Sequence, residues 1–189
     1  MTLHITGDPS ADALLTENPF ALLTGMMLDQ QVTMETAFAG PEKLAQRLGE
    51  LTPASIAATD PAALLKAFQQ SPAVHRFPGS MAERLQSLAK ALVDNWNGDA
   101  AELWTRGDPT GPEVLGRLRT LPGFGEQKSK IFLALLGKQY GFSGTGWREA
   151  AGAYGAEGSE LSVADIVDAE SLGRVREAKK AAKAAAKAR

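Results

Sequence analysis

The chain has 189 residues, 44% of them apolar, with no cysteine, two histidines and a net charge of −2. That length and apolar share suit one or two packed lobes, and no run reaches the ~18 apolar residues that cross a bilayer. The lack of cysteine excludes disulfides, thiolate chemistry, cysteine-ligated zinc and iron–sulfur clusters, and His4 and His75 stand apart without ligand-spaced partners.

In chain order, the opening MTLHITGDPSADALL has no basic stretch before an apolar one, so a secretory signal is not expected. NPFALLTGMMLDQQVTMETAF places Phe20, Leu23, Met27, Met34 and Phe38 at helical spacing. DPAALLKAFQQ starts a shorter amphipathic helix, with Asp60 as cap and Pro61 at the first helical position. In PGSMAERLQSLAKALVDNW, Met81, Leu85, Leu88, Leu92, Val93 and Trp96 share a face, and Ser80 with Glu83 reads as a capping box. TGPEVLGRLRTL opens with a second box, Thr110 and Glu113. GEQKSKIFLALLGKQYG then buries Ile131, Phe132, Leu135 and Leu136. GFSGTGWREAAGAYGAEGSE is glycine-rich and is expected to be a flexible or boundary region. The end of the chain reads as one short helix and one long one. No segment alternates as a strand must, so the expected fold class is all-α.

Charge is uneven. RVREAKKAAKAAAKAR, the last sixteen residues, carries seven basic groups and one acidic, while the remainder holds 13 basic and 21 acidic. A basic arm on an acidic body is attracted to a polyanion; equally, an Ala/Lys helix is a solvated, solubilising one.

The stretch TLPGFGEQKSK, Thr120 to Lys130, joins two helices into a hairpin. Pro122 ends the first helix, and Gly123 and Gly125 are expected to supply positive-φ geometry and close backbone approach. The open N–H groups at the next helix start, with Lys128 and Lys130 nearby, form a seat for a phosphate. An unliganded helix corner is the equal alternative for the turn by itself.

LRTLPGFGEQKSKIFLALL resembles the helix-hairpin-helix signature of the HhH-GPD superfamily of base-excision DNA glycosylases, which includes endonuclease III and the 3-methyladenine glycosylases. LLTGMMLDQQVTMETA is similar to the family's early Leu-x-x-Gln-x-(Ser/Thr) segment, with Leu28, Gln31 and Thr33 on the pattern. The resemblance implies a helical barrel over 19–140 with its hairpin at 111–139. Residues 1–18 would pack on the second lobe, and 141–189 would form a glycine-rich loop, a short helix and a basic C-terminal helix. It implies double-stranded DNA as partner, with Gly123, Phe124, Gly125, Lys128 and Lys130 at the phosphates and Gln31 entering the duplex. His75, Arg76 and Phe77 stand where the family carries its wedge. The Leu121 and Phe124 carbonyls would hold a monovalent cation.

Two positions depart from the family. Gln127 stands where bifunctional members carry a Schiff-base lysine, so AP-lyase activity is not expected. Thr145 stands where the catalytic aspartate is expected, with Glu149 the nearest carboxylate and Asp165 the next. Trp147 would then line the base pocket. The resemblance implies a monomeric, monofunctional DNA N-glycosylase, cytoplasmic and nucleoid-associated, without cofactor. The alternatives are a non-catalytic DNA-binding member of the scaffold and a helical protein-interaction domain.

Overall fold

Four helices start in the same way: a short polar side chain caps the first turn and proline follows it, its fixed φ suited to the helix and its missing N–H not needed there. Asp8 caps α1 (Pro9–Glu17), Asn18 caps α2 (Pro19–Leu28), Thr52 caps α4 (Pro53–Ala58) and Asp60 caps α5 (Pro61–Gln69). Between these, α3 (Met34–Leu48) starts on Thr33. The structure, a computed structural model, describes residues 2–189 and has no strand among them. The all-α expectation holds.

The helix α6 (Pro78–Asn95) departs from its expected start. Pro78 takes the first helical position and Phe77 the cap, without a side-chain cap bond, so Ser80 and Glu83 lie inside the first turns. After α7 (Glu102–Thr105), the Thr110–Glu113 box forms as expected at the head of α8 (Gly111–Arg119). Then come α9 (Glu126–Gln139), α10 (Trp147–Ala150) and α11 (Ala169–Lys187).

One apolar core runs from Leu3 to Val175. At its centre is α2, buried at every residue from Phe20 to Leu28, which is why it lacks a polar face. It packs on α1 and α3 and also touches α6 and α9, while α4 and α5 lie on α6, and α8 and α10 lie on α9. The N-terminal segment is tied to the end of α9 as well, since the Tyr140 hydroxyl donates to the Thr16 carbonyl at 2.9 Å.

The glycine-rich stretch is packed rather than a spacer. Trp147 lies against Gly137, where a Cβ would stand 2.5 Å from the indole ring. Arg148 donates to the Gly155 carbonyl at 2.8 Å. Glycine is used here for close approach of two elements.

Candidate nucleic-acid interface

The hairpin between α8 and α9 uses its two glycines differently. Gly123 has φ +84°, and a Cβ there would meet the Arg84 side chain at 2.8 Å and Met27 at 3.2 Å. Gly125 has φ −80° and ψ −177°, ordinary extended backbone, so the expected positive φ is absent there. It is exposed, and nothing lies within 4 Å of where its Cβ would be. No side chain caps the head of α9. Its first-turn N–H groups, which no helix can satisfy internally, therefore stand behind a bare surface residue.

Phe124 is a correction. The residue is 5% exposed and its ring meets Phe132 edge-to-face at 6.1 Å, so the side chain anchors the turn in the core and is not presented at the surface. Its N–H donates to the Leu121 carbonyl at 3.1 Å, which occupies one acceptor site of the expected cation seat. Lys130 pairs with Glu126 at 2.9 Å, and Arg119 faces the same carboxylate at 3.7 Å. The Lys130 hydrogen bond and charge hold the Glu126 carboxyl below its usual range.

The expected contact loops converge on Gln30. Its side-chain oxygen accepts from Arg84 at 3.0 Å, and its side-chain nitrogen donates to the Met27 carbonyl at 2.9 Å. Lys128 donates to the carbonyls of Met27, at 3.0 Å, and Asp29, at 3.3 Å, and so ties α9 to the end of α2. Burial pushes the Lys128 ammonium down to about 8, against the opposing pull of Asp29. Next in the chain, Gln31 is exposed with φ +58°. A left-handed, non-glycine residue at an exposed loop tip is held there by its surroundings, here by the bonds on Gln30.

His75 is a second correction. It is 2% exposed, its Nε2 lies 2.9 Å from the Gln30 carbonyl, and its Nδ1 accepts the Phe77 N–H at 3.0 Å. That pairing assigns the proton to Nε2 and makes His75 a strut for both loops. Phe77 is 43% exposed, with the Arg76 guanidinium 5.0 Å over its ring. Between α6 and the hairpin lies a cleft of about 340 Å³, lined by Ser80, Glu83, Arg84, Ser87, Pro122 and Gly123.

The carboxylate candidates separate. Asp165 is a third correction. It pairs with Lys138 at 2.5 Å, with its side chain 4% exposed, and accepts the N–H groups of Leu161 and Ser162. It holds the 159–165 segment to α9 and is not open to a substrate. Glu149 is exposed on the single turn of α10, and Thr145 is exposed with its carbonyl accepting the Gly111 N–H at 2.8 Å. Trp147 is a fourth correction. Its ring presses on Gly137 and carries the Arg148 guanidinium at 4.5 Å, which makes it a packing residue rather than an open stacking surface. Gly137 lies ten residues along α9 from Gln127, about 15 Å by helical rise. Gln127 is exposed and donates to the Tyr154 hydroxyl at 2.9 Å. Sequence reasoning passed over Arg84, Tyr154 and Asp29. Arg84 is one cation on the polar side of an amphipathic helix, and nothing local distinguishes it from a solvated one.

The fold and this face define an all-helical protein whose α8–α9 hairpin turn stands beside an exposed glutamine, Gln31. A family model described as HhH-GPD superfamily base excision DNA repair protein matches residues 24–189, and the chain belongs to that superfamily. Base excision DNA repair is its field of action and DNA its partner. No curated protein matches the chain. Among the described residues, no helix is long and apolar enough to cross a membrane.

Proposed function

We propose that the protein is a monofunctional N-glycosylase acting as a monomer on damaged or mismatched bases in duplex DNA. The observation that carries this reading is the joining of the hairpin turn to the Gln31 loop through Arg84 and Lys128. A duplex strand held at Gly125 then meets Gln31 and Phe77 as groups able to fill the space left by an extruded base. Gln127 offers no amine, and Lys128 is turned into backbone carbonyls, so water is the nucleophile. Water attacks C1′ of the sugar, the C1′–N bond breaks, and the base leaves with the bonding pair and is protonated. Glu149 is the carboxylate assigned to steady the positive sugar. Its exposure weakens that help, so excision is confined to bases that leave readily.

The second reading, duplex recognition without excision, is favoured by Thr145 standing in place of the expected aspartate. Binding measurements test the recognition both readings share. A duplex carrying an abasic-site analogue is expected to bind more tightly than the undamaged duplex, with affinity falling steeply as salt rises. Equal affinity for the two duplexes contradicts lesion recognition.

A further inference from the structure

The C-terminal helix reaches the recognition face. Leu172 and Val175 enter the core, and the next residues cross to the loop that carries Gln31. Arg176 pairs with Glu35, and Lys179 stands 3.6 Å from Asp29. These two carboxylates flank Gln31 in sequence and are largely covered, their side chains 17% and 10% exposed. With α11 in place, four cations (Arg84, Lys128, Arg176 and Lys179) surround two carboxylates. Without it the patch is electrically neutral, on a body that is itself acidic.

Beyond Lys179 every residue of α11 is exposed. The alanine-rich sequence sustains the helix without tertiary support. At 100° per residue, Arg176, Lys180, Lys183 and Lys187 fall within about 60° of one another and span about 16 Å. The free lysines therefore continue the flank on which Arg176 meets Glu35. Arg174, by contrast, points away and pairs with Glu160 and Glu170.

We infer that α11 is a fixed arm of the DNA-binding face: Arg176 and Lys179 neutralise the two carboxylates beside Gln31, and Lys180, Lys183 and Lys187 track the phosphates of the duplex flanking that loop. This deepens the proposed function, on which it rests by taking duplex DNA as the ligand. It differs from a solubilising tail because it assigns a direction to the charge, and from a loose basic arm because the arm is pinned.

The test compares full-length variants on an undamaged 20-base-pair duplex, by fluorescence anisotropy across a salt series. Lys180→Gln, Lys183→Gln and Lys187→Gln combined keep helix-forming residues, and the slope of log K against log salt is expected to become shallower by roughly two to three. Arg174→Gln, on the opposite side, is expected to leave the slope unchanged. Arg176→Gln with Lys179→Gln uncovers Asp29 and Glu35 and is expected to weaken binding at least tenfold at low salt. A wild-type slope in the triple variant, or an equal change in Arg174→Gln, overturns the arm while duplex binding by the wild type keeps the proposed function standing. No duplex binding by the wild type overturns both.

Discussion

The Arg84 guanidinium donates to the Gln30 side-chain carbonyl at 3.0 Å while its stem occupies the space a side chain on Gly123 would need. Arg84 thus sets, together with Lys128, the distance between the hairpin and the Gln31 loop. A phosphate seat and an intercalating side chain are useful only at a fixed separation, since both must meet one distorted strand.

The two hairpin glycines are expected to fail differently. Gly123→Val forces a β-branched residue into positive φ against Arg84 and should cost about 1–3 kcal/mol of stability. Gly125→Val meets no protein atom and an ordinary backbone, so its unfolding midpoint should stay near wild type while duplex affinity falls at least tenfold. Chemical denaturation and anisotropy on both variants check this. Full affinity in folded Gly125→Val removes the hairpin as phosphate seat.

Lys128 makes the face pH-sensitive. Its folded value of about 8 lies below the ordinary 10.5, so as pH rises the folded protein releases this proton first. Between those values the unfolded chain holds more protons, and stability from this group rises with pH, being lowest below about 8 where the buried charge is present. Affinity for DNA moves the other way, because the neutral amine no longer attracts phosphate. Wild type should lose duplex affinity from pH 7 to 9, and Lys128→Gln should show a flatter profile. Parallel profiles would exclude Lys128 as the titrating group.

Much of this was legible in the sequence, for reasons that can be named. The hairpin, the Thr110–Glu113 box and the Asp60–Pro61 start depend on neighbours within a few residues, and all form as expected. The Ser80–Glu83 box does not form because Pro78 starts the helix three residues earlier, with Phe77 at the cap. His75 and Phe124 carry side chains that suit either DNA or a core, and only tertiary burial decides between them. Gly125 and Gly123 look alike as letters but differ in φ, which depends on how the turn docks against α6. The docking of α11 was invisible because Arg176 and Glu35 are far apart in the chain.

Asp165 supports the fold, and its removal should show that. Asp165→Asn leaves Lys138 buried without a counter-charge and should cost about 3 kcal/mol. Any activity lost should return when the variant is assayed at a temperature where it is folded. Lys138→Met with Asp165→Asn should lose less stability than Asp165→Asn does by itself. A fully folded Asp165→Asn protein with no activity would instead return Asp165 to the chemistry.

The most direct measurement is single-turnover base release from a panel of duplexes carrying alkylated, deaminated and oxidised bases, with the strand analysed before and after alkali. The account predicts free base and an intact abasic strand for at least one readily leaving base. Strand scission should follow only after alkali, and Glu149→Gln should slow the release at least tenfold. No base release from any duplex contradicts the glycosylase claim. Scission by β-elimination without alkali contradicts the monofunctional one, and an unimpaired Glu149→Gln rate removes Glu149 from the mechanism.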